Sequence, residues 1–431
     1  PDGTLFVGGC ILSDKKITVL TISDHPFLPS GVGTQTKYVI EALLRSGKFN
    51  VISLAGAIKH SDYTPKKVEG FPGSWEVFPV DNYGSREIVT QFIMERKPDI
   101  LYFMTDPRFY EWLWSIEDYI RPMVPMVYYH VWDNYPYPKF NARFYESNDV
   151  VATISKVTSD IVRTVAPSVK ERYLPHAVDS RVFYNRKDKL YQDLKDQNPS
   201  FKDRFVFFWN NRNARRKQTG SLLFWFKNFL ELKEVDRDKV CLFLHTDPED
   251  PHGQPVEFLI DELGFKESEV VLSKNKLPPE HMALLYCVSD CTINISDAEG
   301  FGLATLESLS CETPIIVNMT GGLQEQVTDG SNWFGVGIEP TSKAVIGSQQ
   351  VPYIFEDRIS EKDFHNALLK MYNMSREERE KLGKLGKEHV DKNYNFDSFG
   401  AKWVDLMTDV YEEYGSWENR KNYNNFRVEE I

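Results

Sequence analysis

The sequence has few cysteines, no long apolar run and no excess of positive charge. Its five cysteines among 431 residues stand at uneven spacings, which excludes a disulfide scaffold and predicts buried thiols in a reducing compartment. No apolar run approaches the ~18 residues of a membrane span and no signal peptide is visible, so we expect a cytoplasmic chain without a transmembrane segment. The net charge of −12 disfavours nucleic acid as a partner, whereas peripheral contact with a membrane stays open.

Several catalytic signatures are also missing. The chain contains no Gly-x-Ser-x-Gly, Walker A or His-Glu-x-x-His pattern. Its one Asp-x-Asp match, Asp236-Arg-Asp238, precedes a predicted strand instead of following one, which favours a solvated turn over a metal site. Cys287 and Cys291 lack the second pair that would complete a zinc site. We therefore expect neither a bound metal nor a cofactor.

The length and the pattern of apolar runs predict two α/β domains. A chain of 431 residues exceeds one ordinary core. Buried strands alternate with helices from residue 17 and again from residue 205, which is typical of doubly wound parallel sheets. The polar stretch 185–203 between the two series predicts a linker. The expected domains are residues 1–185 and 186–404, both Rossmann-like.

The most informative segment runs from Glu299 to Glu307. These two carboxylates lie eight positions apart and enclose a glycine loop that follows a predicted strand. Gly300 and Gly302 lack a Cβ, so the backbone can turn sharply and a phosphate can approach its N–H groups. Leucines at three-residue spacing predict a helix that leaves Glu307 at the edge of its apolar face. A phosphate loop between two acceptors for hydroxyl groups predicts a nucleotide-sugar site.

A second glycine loop, Ser30-Gly-Val-Gly33, lies between a predicted strand and a helix that is predicted over Thr34–Ser46. It lacks the third glycine of a dinucleotide fingerprint, and no acid follows at the ribose spacing, so an NAD-dependent oxidoreductase is only the third alternative. Gly31 and Gly33 can nevertheless approach a phosphate across a cleft between the domains.

A basic run follows the first predicted strand of the second half. Arg212 and Lys217 lie five positions apart, with Arg215 and Arg216 between them. Cations clustered at the carboxyl end of a strand, in a chain of net negative charge, predict a buried anion site. They would neutralise a departing diphosphate electrostatically.

The segment 128–138 is rich in aromatic residues. His130 ends a predicted strand and can bond a sugar hydroxyl. The surrounding rings favour a saccharide acceptor, because aromatic faces stack on sugar rings. The acceptor candidates are Asp106, Trp132, Asp133 and Tyr135.

The segment from Glu299 to Glu307 resembles the E-x7-E signature of retaining GT-B glycosyltransferases, most closely family 4. The loop Ser30–Gly33 is similar to that family's N-terminal glycine loop, although Ser30 replaces the first glycine. Arg212 with Lys217 is similar to its phosphate-binding Arg/Lys pair. The resemblance implies two Rossmann-like domains facing across a cleft. The last helix, either the amphipathic segment Phe396–Tyr414 or a stretch of about 405–431, would pack back on the first domain.

The resemblance also implies roles for the residues. Glu299 would contact the donor sugar, Glu307 the ribose, and His130 the transferring sugar. The implied donor-binding residues are Gly31, Gly33, Gly300, Phe301, Gly302, Leu303 and Glu307. The implied catalytic residues are Glu299, His130, Arg212 and Lys217. The reaction would need no metal and no protein nucleophile, since the leaving phosphate accepts the proton of the acceptor.

These observations predict a retaining transferase that moves a sugar from a nucleotide-diphosphate-sugar to a hydroxyl of a saccharide or glycoconjugate. One alternative is an epimerase or hydrolase of the same fold, which would convert the donor alone. Another is a nucleotide-sugar-binding protein with a dead site.

Overall fold

A computed structural model describes residues 15–423 of the chain and shows two parallel β-sheets flanked by helices. In both sheets the inner strands are buried on the two faces, as expected of parallel sheets covered by crossover helices. The α/β class predicted from the alternation of strands and helices is confirmed.

The N-terminal sheet is formed by β1 (Ile17–Asp24), β2 (Phe49–Gly56), β3 (Lys66–Val68), β4 (Trp75–Pro79), β5 (Ile100–Met104), β6 (Met126–His130), β7 (Val150–Thr153) and β8 (Glu171–Tyr173). Their order across the sheet is β3-β4-β2-β1-β5-β6-β7-β8, and only the edge pair β3 and β4 is antiparallel. The accompanying helices are α1 (Gly31–Arg45), α2 (Arg86–Arg96), α3 (Glu111–Trp114), α4 (Glu117–Ile120), α5 (Ala142–Glu146) and α6 (Lys156–Val165).

The segment Ser30–Gly33, which was predicted as a loop, is helical from Gly31 onward. The helix was expected to begin at Thr34, but α1 begins at Gly31, because the Ser30 hydroxyl accepts a hydrogen bond from the Gly33 N–H at 3.0 Å and caps it. The residues predicted as a loop therefore form the first turn of a helix, and this turn faces the second domain.

The predicted linker also differs, because it contains a helix, α7 (Lys189–Gln197), which starts at the N-cap residue Asp188. Its polar sequence conceals an amphipathic pattern, and Tyr191 and Leu194 pack on the core.

The C-terminal sheet consists of β9 (Phe205–Asn210), β10 (Val240–His245), β11 (Val270–Ser273), β12 (Cys291–Asn294), β13 (Ile315–Asn318) and β14 (Gly335–Ile338). The strands are parallel and follow the order β11-β10-β9-β12-β13-β14. The helices of this half are α8 (Thr219–Phe229), α9 (Val256–Glu262), α10 (Pro279–Val288), α11 (Leu303–Ser310), α12 (Leu323–Val327), α13 (Glu361–Tyr372) and α14 (Arg376–Asn393). A separate antiparallel hairpin, β15 (Ser342–Ile346) and β16 (Ile354–Arg358), lies between β14 and α13.

The last long helix, α15 (Phe396–Tyr414), returns to the N-terminal domain. Its Trp403 packs edge-on against Tyr102 and Tyr129, with ring centroids 5.5 and 4.8 Å apart. The helix predicted over Phe396–Tyr414 is thus confirmed and ends where Gly415 adopts φ +56°, whereas the bounds of about 405–431 start too late. Residues 424–431 lie outside the described residues. No helix within residues 15–423 is long and apolar enough to cross a membrane.

Candidate active site

A cleft of about 360 Å³ separates the two domains at the carboxyl edge of the C-terminal sheet. Gly31 at the start of α1 forms one wall, and Leu303 at the start of α11 forms the other. A Cβ on Gly31 would lie 3.2 Å from Leu303 Cδ1, so a larger residue there would press directly on the opposite domain. Glu307, one turn along α11, also lines this cleft. Ligands of open α/β sheets bind at such strand ends.

Glu299 lies directly before α11 and is surrounded by polar partners. Lys217 Nζ donates a hydrogen bond to Glu299 Oε2, and both side chains are at least nine-tenths buried. Arg216 Nη1 lies 3.7 Å from Glu299 Oε1 and also donates to the carbonyl of Ala298. Asn294, at the end of β12, donates to Glu299 Oε2 at 3.3 Å. The carboxylate is therefore fixed by two cations and an amide.

The charges of this group determine its ionisation. Burial by itself would raise the pKa of Glu299, but Lys217 and Arg216 outweigh it and lower the pKa to about 2. Burial and the neighbouring Arg216 lower the pKa of Lys217 to about 8, although Glu299 opposes this shift. At neutral pH the carboxylate and the ammonium are both charged, and the geometry agrees with a charge-assisted pair.

The loop that carries Glu299 is packed backbone against backbone. Gly321 adopts φ +49°, and a Cβ there would lie 1.8 Å from the carbonyl oxygen of Glu299. The N–H of Gly322 donates to the same oxygen at 3.0 Å. Gly302 adopts φ +90° at the N-cap of α11. These glycines let the loop turn tightly and hold its first carboxylate in place.

Glu307 occupies a different environment. Tyr286 of α10 donates to Glu307 Oε2 at 2.6 Å. Burial raises the pKa of Glu307 to about 7, and the hydrogen bond from Tyr286 only partly offsets this effect. The two acids of the motif thus differ in charge state near neutral pH: Glu299 is ionised, whereas Glu307 titrates.

Lys217 and Arg212, which were paired in the prediction, are separated in the structure. Lys217 reaches Glu299, but Arg212 Nε donates to Asp250 Oδ2 at 2.6 Å, and its guanidinium also contacts His252 at 2.8 Å. The Arg212 side chain is 61% exposed and lines the cleft, so it can exchange Asp250 for another anion. Arg216 is the second cation at Glu299.

His130 ends β6 and is fully buried. Its Nε2 lies 2.8 Å from the hydroxyl of Tyr145, and its Nδ1 has no hydrogen-bond partner among residues 15–423. Burial lowers the pKa of His130 to about 3, so the ring is neutral. One nitrogen of this neutral imidazole is thus bonded to Tyr145, and the other is a buried polar atom that can still accept or donate one hydrogen bond.

Asp133 is the acceptor candidate that the structure brings to the donor loop. A Cβ on Gly300 would lie 3.9 Å from Asp133 Oδ2, and one on Gly321 would lie 3.6 Å from Asp133 Cβ. Burial raises the pKa of Asp133 to about 6, while the charges of Arg216 and Lys217 oppose the rise. This carboxylate of the first domain therefore stands beside the Glu299 cluster of the second.

The other predicted site residues make contacts within the N-terminal domain. Asp106 forms a two-pronged pair with Arg108, with contacts of 2.9 and 2.8 Å. Trp132 is 5% exposed and packs in the core, and Tyr135 stacks on Tyr137 with centroids 5.2 Å apart. Gly33 is buried in the first turn of α1, where a Cβ would lie 2.8 Å from the His25 carbonyl.

Phe301 likewise packs inward, against His176 and Tyr394. Its backbone, and not its ring, belongs to the loop beside the cleft. Among residues 15–423, no group of three or more His, Cys, Asp and Glu side chains is placed to hold a metal ion.

Sequence reasoning missed three contributors to this site. Arg216 was noted only as part of the basic run, and neither Asn294 nor Tyr286 was proposed as a site residue. The signal for Arg216 was its position next to Lys217, but the residue that faces Glu299 depends on the short 3₁₀ turn Arg215–Lys217. Nothing in the sequence indicates that α10 brings Tyr286 to Glu307.

The sequence is similar to known glycosyltransferases, chiefly in the C-terminal half. Residues 192–389 match the family model described as glycosyl transferases group 1, which covers most of the C-terminal domain. N-acetyl-alpha-D-glucosaminyl L-malate synthase from Bacillus anthracis is 22% identical over 236 residues, which cover 54% of this chain and 58% of that protein. D-inositol 3-phosphate glycosyltransferase from Acidothermus cellulolyticus is 35% identical over 65 residues, or 15% of this chain and 14% of that protein. The chain thus spans from about one-seventh to somewhat more than half of these relatives.

Solved structures show the same fold over nearly the whole chain. Sucrose-phosphate synthase from Thermosynechococcus elongatus superposes with a TM-score of 0.73 at 18% identity and covers 92% of this chain and 100% of its own. Anabaena HepE, in complex with UDP and glucose, gives a TM-score of 0.66 at 14% identity, covering 91% and 100%. The predicted GT-B fold is therefore confirmed. Together with the family match, this fold supports a GT-B glycosyltransferase.

Proposed function

We propose that this protein is a retaining glycosyltransferase that moves a sugar from a nucleotide-diphosphate-sugar to a hydroxyl of a saccharide or glycoconjugate without a metal. The observation that carries the proposal is the buried pair of Lys217 and Glu299 beside the cleft that Gly31 and Leu303 enclose. It supplies a fixed anion for sugar hydroxyls and a fixed cation for phosphate. The domain 1–185 would bind the acceptor, and the domain 186–404 would bind the donor.

The donor is proposed to lie along α11. Glu307 would accept hydrogen bonds from the ribose, and the start of α11 would face the diphosphate, where the helix dipole favours negative charge. Lys217 has three N–H donors, so it can keep Glu299 and still bind an oxygen of the leaving phosphate. Arg212 would join it after leaving Asp250.

The acceptor is proposed to enter from the N-terminal domain. His130 and Asp133 would orient hydroxyl groups of the donor and acceptor sugars. The acceptor oxygen would attack the anomeric carbon as the bond from that carbon to the phosphate breaks. The departing phosphate would take the acceptor proton, and Lys217 would stabilise the charge that develops. Glu299 is held by its cations for orientation and forms no covalent bond.

The deciding experiment incubates the protein with UDP-, GDP- and ADP-sugars, first alone and then with a panel of saccharides, in the presence of EDTA. Transfer that needs a saccharide, with the anomeric configuration of the donor kept in the product by NMR, supports the proposal. Conversion of the donor alone would identify the epimerase or hydrolase instead, and binding without turnover would identify a dead site.

The described cysteines Cys241, Cys287, Cys291 and Cys311 are free thiols, which supports the cytoplasm as the proposed compartment.

A further inference from the structure

The hairpin β15–β16 belongs to the C-terminal domain but is attached to both domains. On its own side, Glu356 is buried and forms a two-pronged ion pair with Arg215, one contact being 2.9 Å. The N–H of Asp357 donates to the carbonyl of Asp297 at 2.9 Å. Since Asp297 lies two residues before Glu299, this strand of the hairpin is anchored to the donor loop itself.

The hairpin also reaches the N-terminal domain. The N–H of Phe355 donates to the Tyr135 carbonyl, and Asn134 Nδ2 donates to the Phe355 carbonyl at 2.9 Å. Val351, at the tip, is 5% exposed and packs within the core of the N-terminal domain. The hairpin is therefore a fixed connection between the two domains and not a loose surface loop.

Two pairs of aromatic rings lie along this connection, and we name them together the aromatic wall: Tyr135, Tyr137, Tyr353 and Phe355. Tyr135 stacks on Tyr137, with centroids 5.2 Å apart at 30°. Tyr353 meets Phe355 edge-on at 5.3 Å. Tyr353 is 49% exposed, which is unusual for a ring so close to a domain boundary.

The wall adjoins the proposed reaction centre at both ends. Tyr135 lies two residues after Asp133, which stands beside Gly300 and Gly321. Phe355 lies two residues before Asp357, which accepts a hydrogen bond from Thr320 at 2.8 Å. A ligand on the wall would thus be next to the donor loop, with the carboxylate of Asp133 and the amide of Asn134 within the same segment.

We infer that the aromatic wall is a saccharide subsite of the acceptor, in which Tyr353 stacks on the apolar face of a pyranose ring. This inference rests on the proposed transferase function and deepens it. The exposed ring lies on a strand that is bonded to the segment carrying Asp133 and Asn134. Such a ring suits a cyclic sugar, whose C–H face is apolar and whose rim is polar. The net charge of −12 disfavours an anionic membrane lipid as the occupant.

The test compares wild-type protein with Tyr353→Ala, Tyr353→Phe and Phe258→Ala. Phe258 of α9 is the matched control, because its ring is 59% exposed on another surface. Donor binding is measured by calorimetry with UDP-, GDP- and ADP-sugars. Acceptor KM is measured at saturating donor for the pyranosides that the wild-type protein accepts.

Tyr353→Ala is expected to raise the acceptor KM about five- to tenfold, the size of one aromatic contact, and to leave donor affinity unchanged. Tyr353→Phe and Phe258→Ala should behave as wild type. An unchanged KM in Tyr353→Ala, or a loss in Tyr353→Phe as large as in Tyr353→Ala, would overturn the stacking subsite. Absence of donor binding in the wild-type protein would instead reject the proposed function.

Discussion

Lys217 and Glu299 are 82 residues apart in sequence, yet the ammonium of one donates directly to the carboxylate of the other in the interior of the C-terminal domain, beside the cleft. The strands β9 and β12 are neighbours in the C-terminal sheet, so the segments that follow them emerge side by side. The pair places a positive and a negative group at one point, and four predictions concern the charges and contacts around it.

The first prediction concerns Glu299→Gln. The amide keeps the shape but removes the charge that orients Lys217, so we expect turnover to fall about 100-fold or more, in the range of a lost preorganised contact. Circular dichroism should show an unchanged fold. Glu257→Gln, an exposed acid paired with Lys274, is the matched control and should keep full activity. Wild-type turnover in Glu299→Gln would remove Glu299 from the donor site.

The second prediction concerns pH and Glu307. Its pKa is raised to about 7, so the group loses its proton as pH rises through neutrality. The carboxylate is the better acceptor for ribose hydroxyls, so affinity for a nucleotide-sugar should increase between about pH 6 and pH 7. Closer to pH 8 the rise is opposed, because Lys217, whose pKa is lowered to about 8, begins to lose the charge that binds phosphate. A nucleotide-sugar is the suitable probe, because its esterified diphosphate does not titrate in this range. Calorimetry on Glu307→Gln should show a flatter curve, and an equal slope in both proteins would contradict this assignment.

The third prediction compares two glycines of positive φ. Gly321→Ala would place a Cβ 1.8 Å from the Glu299 carbonyl, whereas Gly330, at φ +94°, has nothing within 4 Å. Both substitutions incur backbone strain of about 1 kcal/mol, but only Gly321→Ala must also displace the donor loop. Thermal unfolding should show a clearly larger loss for Gly321→Ala, and only this variant should lose turnover. Equal effects would mean that the packing of this loop does not hold Glu299.

The fourth prediction concerns the counterion of Arg212. Asp250→Asn removes the carboxylate that competes with a phosphate for this guanidinium, so nucleotide-sugar affinity should rise about two- to fivefold, as for an exposed ion pair. The gain should vanish in the double variant with Arg212→Ala. Asp188→Asn, which breaks the surface pair with Arg186, is the control and should leave affinity unchanged. A gain that persists without Arg212 would show that Arg212 does not bind the donor.

Some parts of the site followed from local sequence and others did not. The loop from Glu299 to Gly302 and the helix after it were predicted, because glycine and apolar spacing act over a few residues. The predicted start of the first helix was three residues later than the observed start at Gly31. The two glycines indicated a loop, but the cap formed by Ser30 stabilises them as the first helical turn. The segment of α7 was predicted as a linker because most of its residues are polar, although Asp188 caps a helix there.

The sequence by itself determined the α/β class, the order of the two halves, and the chemical groups at Glu299, Glu307 and Lys217, because strand pattern, glycine and charge are local properties. Only the tertiary structure decided that Arg216 and not Arg212 faces Glu299, that Tyr286 bonds Glu307, and that the hairpin β15–β16 joins the aromatic wall to the donor loop. These contacts join segments that are far apart in the chain. They depend on the packing of helices and strands, which no local pattern records.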